Sequence, residues 1–425
     1  MHEPTWQLNR TAPGFTIVPG TVTRRNDLLQ YDTIIVGAGI VGAAACRELL
    51  RRRPGSRVLI IDKEKSPGRH QTGHNSGVVH AGVYYEPGSL KARFCRRGVS
   101  ATAEFCREHS LPFERTGKLL VATNDAELSR LQALFERCQQ NGLRPEMLDI
   151  GTMLEIEPRI TGTGGFLVRE TAITDYPAIC RSLLDEAGQR GAEVRLGEEV
   201  IALSESADGV EVTSTARGYS ARTLLVCGGL AADRLAQMQG LDISFRIIPY
   251  RGEYYRLHPR LHGLIKRLVY PVPDPTLPFL GVHLTLMTDG SITVGPNAVQ
   301  GWKREGYGKF NFSLKDSSNM LAFPGFWKAS MRHLAAGARE YRDSLWKRGY
   351  LKRVQKYCPE ILLNDLLPHP AGIRAQAVLS DGTMVHDFLL ESTSRSLHVC
   401  NAPSPAATSA IPIAEHICAI LLEKL

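Results

Sequence analysis

Two unbroken apolar runs set the reading of this chain. Ile34, Ile35 and Val36 run into Gly37, and residues 58–61 run into Asp62. Short runs of this kind, bounded by turn signals, predict strands buried on both faces. Between them, residues 43–50 place small and apolar side chains at helical spacing, so strand, helix and strand follow one another as a βαβ unit. Residues 91–109, 128–140 and 176–190 also have helical periodicity; the second stops at Asn141 and Gly142 and the third at Gly191, as helix C-termini do. Residues 118–123, 193–196, 210–214 and 223–227 predict strands, the last running into Gly228 and Gly229 with a helix over 231–238 behind it. Residues 249–257 and 281–287 alternate like half-buried strands and predict a β-rich insertion. Residues 372–378 and a strand over 397–400 predict a return to the first domain, and a loop of small residues then opens the last helix.

The turn between the first strand and its helix carries Gly37, Gly39 and Gly42, and Asp62 follows twenty residues after Gly42. Glycines there let a helix N-terminus face a pyrophosphate, and an acid at the end of the second strand can accept both hydroxyls of an adenosine ribose. Glycine patterns alone recur by chance, but strand, glycines, helix, strand and acid in order predict an ADP-containing cofactor. The acid favours FAD or NAD over NADP, whose extra phosphate it would repel. Residues 71–95, QTGHNSGVVHAGVYYEPGSLKARFC, follow directly. There the small residues Gly73, Ser76, Gly77, Ala81 and Gly82 allow close backbone approach to a flat ring, while His74, Asn75, His80, Tyr84 and Tyr85 can donate hydrogen bonds to it.

Length and charge refine this picture. A chain of 425 residues that is 43% hydrophobic buries a large core and predicts two domains. No apolar run approaches the roughly 18 residues a spanning helix needs. Residues 1–30 hold several prolines and glycines without an apolar signal core, and read as a loose N-terminal extension. Nine cysteines at irregular spacing, without a zinc-like cluster, predict reduced thiols in a cytoplasmic setting and no metal. The net charge of +8 is uneven: residues 301–357 carry thirteen Lys or Arg against four acids, interleaved with Phe310, Phe312, Phe323, Phe326, Trp327 and Trp346. Such a stretch is either a solvated helical face or a surface for anionic lipid, with RNA the lesser alternative. Paired hydrolytic carboxylates, a GxSxG elbow and a Walker loop are all missing, which removes the common hydrolase and phosphoryl-transfer readings.

From residue 31 onward the chain resembles the FAD-dependent superfamily of D-amino-acid oxidase and glycerol-3-phosphate dehydrogenase, through HQTGHNSGVVHAGVYY, FRIIPYRGEYYRL, VGPNAVQGWKREGY, PAGIRAQAV and CNAPSPAATSAIP. The resemblance implies an α/β (α+β) fold, a Rossmann-like FAD-binding domain with an inserted β-sheet substrate-binding domain. Residues 31–108, 165–243 and 366–425 would form the first, and residues 109–164 and 244–365 the second. It implies FAD, and Lys63, Val200, Gly228, Gly372, Ser404, Pro405, Ala406, Ala407 and Thr408 as further cofactor contacts beside the glycine turn and Asp62. Its narrower form implies oxidation of L-2-hydroxyglutarate to 2-oxoglutarate, with electrons passed to a membrane quinone by a protein held peripherally at the inner (cytoplasmic) membrane. Two rivals remain: an amino-acid oxidase of the same fold using O2, and a non-catalytic flavoprotein that binds RNA or a partner. The hydroxyglutarate reading expects no nucleic-acid ligand.

Oxidising a 2-hydroxy acid requires hydride loss from the α-carbon while a base takes the hydroxyl proton, and histidine is the natural base near neutrality. His80, in the flavin block, has three readings: flavin contact, base, or the histidine through which some superfamily members attach flavin covalently. His283, in the inserted domain, is either the base or a substrate hydrogen-bond partner, or else a satisfied strand residue. A diacid needs cationic partners, best supplied by arginine forks. Arg374 resembles the arginine with which amino-acid oxidases of the superfamily hold an α-carboxylate. Arg251 is either the next candidate or a domain-interface ion pair, Lys303 and Arg304 could reach a distal carboxylate, and Tyr84, Tyr85 and Tyr255 are either substrate contacts or core aromatics.

Overall fold

In the computed structural model, residues 29–274, 281–308 and 311–424 are described. The expected N-terminal extension, up to residue 28, and Lys309 and Phe310 of the basic stretch lie outside the described residues.

The first sheet has eight strands. Its central ladder is parallel: Leu29–Val36 lies between Gly218–Val226 and Val58–Asp62, which in turn pairs with Glu193–Leu196. Ser396–Asn401 adds in parallel along the end of Gly218–Val226. Successive residues of these strands enter different cores. Ile35, Ile60 and Leu225 pack under the helices Ile40–Arg52, Tyr176–Gln189 and Ala410–Leu422, while Ile34, Val36, Leu59, Ile61, Leu224 and Val226 pack on the opposite face. Burial on both faces is why the sequence shows unbroken apolar runs there instead of alternation.

A second sheet of nine strands is built mainly by the insertion. Its spine is the antiparallel pair Phe245–Leu257 and Leu366–Leu379, registered so that Tyr250 lies opposite Arg374 and Gly252 opposite Gly372. Ile292–Gly295, His283–Leu286, Leu268–Pro271, Lys118–Ala122, Gly164–Val168 and Glu146–Leu148 follow outward from it in that order. Here the sequence expectation needs correcting. Residues 372–378 do not return to the first sheet, and residues 164–168 also belong to the second. Alternating apolar positions fix which face of a strand is buried but not which edge it pairs with, so the partner sheet was not readable from these segments. The first sheet is rejoined by Leu389–Ser392 and Ser396–Asn401, which pair with each other, and Ala377 and Cys400 share a small core there.

The basic stretch forms four short helices, Leu314–Leu321, Pro324–Arg332, Leu334–Leu345 and Lys347–Gln355. Not all of its cations are free for a ligand. Arg353 bonds the Glu340 and Asp343 carboxylates at 2.7 and 2.8 Å. Arg304 is buried, with its guanidinium 2.8 Å from Asp233 Oδ2 and 2.9 Å from the Leu230 carbonyl. Asp233 also accepts the Ile247 amide at 3.0 Å, so this carboxylate joins the helix Ala232–Met238 to the spine of the second sheet. Removing one partner of a buried pair typically costs about 3–5 kcal/mol, because the other charge stays buried. Arg304→Ala is therefore expected to lower unfolding free energy by roughly 3 kcal/mol or more in urea titrations. A variant of unchanged stability but raised substrate KM would instead return Arg304 to the binding site.

Candidate active site

The three motif glycines do different work. Gly37 has φ +108°, and a Cβ there would meet the Cys227 carbonyl oxygen at 2.4 Å; one on Gly42 would lie 2.0 Å from the Gly37 oxygen. Both positions need glycine so that turn, helix and neighbouring strand can close up. Gly39 is the N-cap of Ile40–Arg52, and a Cβ there would meet only Thr72 Oγ1, at 3.5 Å. Its open side belongs to a cavity, where the unsatisfied amides of the helix N-terminus suit a phosphate. Asp62 accepts the Ala38 and Glu64 amides at 2.7 and 2.8 Å. A carboxylate offers about four acceptor sites, so it retains capacity for ribose hydroxyls.

This cavity, about 890 Å³, is continuous from the glycine turn to the second sheet. Gly37, Gly39, Gly42, Asp62, Lys63, His74, Asn75, Ser76, Val200, Gly228, Gly372 and Ser404, Pro405, Ala406, Ala407 and Thr408 all line it. Its size, the helix terminus at one end and the small-residue walls fit a dinucleotide. Gly77 does not line it. With φ +67° and a would-be Cβ 2.9 Å from the Thr174 carbonyl, Gly77 serves the turn that lets Val78–Val79 pair with Ala172–Thr174. Asn75 holds the same turn, its amide donating to Thr72 O at 2.7 Å and its oxygen accepting the Gly77 amide at 2.8 Å. At the rim, Glu64, His70 and Glu305 approach one another, and Lys63 is ion-paired with Glu305 there.

The far end of the cavity holds the chemistry. His283, only 4% exposed, points Nδ1 at the Gly281 carbonyl, 2.9 Å away. A carbonyl can only accept, so the Nδ1 position carries the proton and Nε2 is left as the acceptor. Its ring stacks on Tyr270 at 3.7 Å. Burial pushes its pKa down to about 3, with the charges of Lys118 and Arg374 adding to the effect and the Gly281 bond opposing it. His80 is held well below the ordinary histidine value, first by burial and then by Lys118, His283, Lys91 and Arg374. Both rings are therefore neutral near pH 7. Arg374 lines the same wall, and burial lowers its pKa without threatening the charge of a guanidinium.

Tyr84 and Tyr85 also line the cavity, together with Tyr254 and Tyr270, which sequence reasoning did not single out. The Tyr84 hydroxyl is buried with no hydrogen-bond partner among the described residues, and that of Tyr270 is buried with only the Thr285 hydroxyl beside it. Each such orphan costs about 1–3 kcal/mol, a loss that a ligand oxygen can recover. A third residue missed from sequence is Lys118, 1% exposed, which looked like the ordinary polar start of an apolar strand. The signal was a lysine opening the wholly buried strand KLLVA.

Four expected substrate contacts are elsewhere. Arg251 is buried, but its guanidinium is bound to the Glu253 carboxylate, which also accepts Asn297 Nδ2 at 2.9 Å. Tyr255 packs edge-on against Tyr350, 4.9 Å away. On this strand Gly252 and Tyr254 line the cavity while Arg251, Glu253 and Tyr255 do not, as expected where successive side chains point to opposite faces. Arg304 is committed to Asp233, and Lys303 does not line the cavity.

A model of the family "FAD dependent oxidoreductase" matches residues 32–420. The L-2-hydroxyglutarate dehydrogenase of Escherichia coli (strain K12) is 49% identical over 389 residues, covering 91% of this chain and 92% of that protein. The mitochondrial L-2-hydroxyglutarate dehydrogenase of Caenorhabditis elegans is 40% identical over 422 residues, covering 96% and 98%. Among solved structures, the dithionite-reduced L-alpha-glycerophosphate oxidase of Mycoplasma pneumoniae with FAD bound shares the fold at a TM-score of 0.75 and 22% identity, covering 93% of this chain and 95% of that one. With a cavity that fits a dinucleotide and a match along almost its whole length, the chain belongs to the FAD-dependent oxidoreductase family, has FAD as its cofactor, and groups within that family with the L-2-hydroxyglutarate dehydrogenases.

Proposed function

We propose that this enzyme oxidises L-2-hydroxyglutarate to 2-oxoglutarate, and that His283 is the base. The observation that carries the reading is a buried imidazole with its tautomer fixed by Gly281, in the same cavity wall as Arg374. Arg374 holds the α-carboxylate with its planar fork. His283 Nε2 takes the hydroxyl proton as the α-hydrogen leaves with its electron pair and the carbon becomes a ketone. FAD supplies the acceptor for those two electrons. His80, also in the wall, fits the reading of a cofactor contact. Anaerobic addition of 2-hydroxy diacids and of amino acids to the yellow holoenzyme tests the substrate: L-2-hydroxyglutarate should bleach it, and bleaching by an amino acid alone would replace this reading with an amine oxidase.

His283→Ala should slow anaerobic flavin reduction by about 10² to 10⁴-fold, the usual worth of a general base. A larger loss in His80→Ala than in His283→Ala would reverse the assignment. The pH profile has a definite sign. In the free enzyme the depressed pKa of about 3 keeps His283 neutral, so the acid limb of kcat/KM should fall well below pH 6. Two bound carboxylates favour the imidazolium, so the acid limb of kcat should move to higher pH. Coincident limbs in the two profiles would argue against it.

Arg374→Lys keeps the charge and loses the fork. Its kcat/KM should drop about tenfold or more, equivalent to about 1.4 kcal/mol. Steady-state kinetics with a dye acceptor decides this, and an unchanged ratio would move the α-carboxylate to another cation.

For the electron acceptor we propose a quinone reached at an anionic membrane surface. Among the described residues, nine of the sixteen exposed large hydrophobic side chains fall between 312 and 346, including Trp327, Met331, Leu334, Leu345 and Trp346. Arg332 and Arg339 are exposed on the same helices, and Arg348 and Lys352 on the helix Lys347–Gln355 that follows. Apolar side chains among cations suit a lipid interface, at about 1 kcal/mol per well-placed cation. No helix of the described residues is long and apolar enough to cross a membrane. Vesicles containing phosphatidylserine should bind the protein at low salt and release it at high salt. Reversing those four cations to Glu should weaken binding while dye-linked activity persists; wild-type protein indifferent to the vesicles would leave the stretch a solvated face.

A further inference from the structure

Lys118 opens the strand Lys118–Ala122, which pairs in parallel with Leu268–Pro271, Lys118 opposite Leu268 and Tyr270 opposite Leu120. Alternation along both strands puts Lys118 and Tyr270 on one face of the sheet. The Lys118 ammonium lies 4.1 Å from the centre of the Tyr270 ring and 5.3 Å from that of Tyr84. It forms no ion pair with a carboxylate among the described residues. The titratable groups acting on it are the thiols of Cys95 and Cys138, which burial keeps protonated. A cation removed from water without a counter-ion is costly, and an anion brought beside it is the usual remedy. Both tyrosines resting on it line the cavity; the Tyr84 hydroxyl lacks a partner, and that of Tyr270 has only the Thr285 hydroxyl beside it. A cation against the face of a phenol ring draws on its π electrons and strengthens the hydroxyl as a donor. The rival cation, Lys91, already donates to the His386 carbonyl at 3.2 Å and feels the charge of Asp387.

The geometry points to Lys118, acting through Tyr84 and Tyr270, as the positioning residue of a second-carboxylate subsite that makes the pocket selective for 2-hydroxy dicarboxylates over 2-hydroxy monocarboxylates. The inference rests on the proposed 2-hydroxy-acid oxidation and extends it to the group at the far end of the substrate. Arg374 takes one carboxylate, the Tyr84 and Tyr270 hydroxyls donate to the other, and the charge of Lys118 behind the rings balances it. The field of both cations acts on His283.

The test uses the FAD holoenzyme, with glutarate and butyrate as unreactive probes read by the change in flavin absorbance. In Lys118→Met the Kd for glutarate should rise at least tenfold, with that for butyrate within twofold of wild type. The KM for L-2-hydroxyglutarate should rise in parallel, and kcat should change less than KM. Equal losses for both probes, no loss for either, or a selective loss in Lys91→Met instead would overturn the assignment. Should Lys118→Met fail to fold, Tyr84→Phe removes one hydroxyl and should weaken glutarate alone, by a smaller factor; an unchanged glutarate Kd in that variant would also overturn it. Wild-type enzyme that prefers glutarate to butyrate yet leaves L-2-hydroxyglutarate unoxidised would sink the proposed function and keep the subsite. Oxidation without a preference for the diacid would sink the subsite alone.

Discussion

The backbone ladder between Phe245–Leu257 and Leu366–Leu379 is the interaction on which the site depends. Hydrogen bonding along most of two long strands leaves little freedom in their relative register, because a slip by one residue would turn every side chain to the other face. That register puts Gly252 opposite Gly372 and places Gly252, Tyr254 and Arg374 on the cavity wall. A Cβ on Gly372 would come within 2.6 Å of the His74 carbonyl oxygen, so the ladder runs directly against the loop that follows the second strand of the first sheet. The cavity is thus closed by contact between a backbone and a backbone, and its width is not left to the rotamers of long side chains.

The charge distribution follows from the same enclosure. The end of the cavity nearest the second sheet gathers Arg374, Lys118 and Lys91 around two histidines, and burial together with these cations keeps both imidazoles neutral. A neutral imidazole can accept a proton where an imidazolium cannot. The cations that would bind an anionic substrate therefore also hold the base in its working form before the substrate arrives. Once the anion is bound, the same field is partly cancelled and the ring becomes a better base.

What could be read from the sequence was what local pattern encodes. The nucleotide-binding unit from Ile34 to Asp62 was legible because two-sided burial, a glycine turn and an acid leave marks at fixed spacing. His80, His283 and Arg374 stood out within recognisable strings, and all three line one cavity. What could not be read depended on three-dimensional pairing. Arg251 and Tyr255 stayed undecided between substrate and structural roles because their strand's parity was unknown, and Arg304 was misplaced because its partner Asp233 lies 71 residues away. Gly77 was taken for a ring contact when its left-handed φ serves a turn. Lys118 escaped notice for the opposite reason: nothing nearby in sequence marks a lysine as buried, and only the sheet reveals the aromatic rings around it.

Asp233 has a consequence for how material passes through the protein. One carboxylate, 1% exposed, holds the Ile247 amide of the second sheet and the Arg304 guanidinium from a helix packed on the first. Asn401, at the end of the first sheet, likewise accepts the Ala377 amide of the second at 3.4 Å and donates to Val385 O and Asp387 O. Two bodies pinned by buried polar bonds on this side cannot part there without exposing unsatisfied groups in the seam. Exchange of reactant and product must then use a side of the cavity away from this seam. Traffic through this protein would then be shaped by the charge of the cavity wall, to which Arg130 and Arg137 of Asp125–Gln140 contribute.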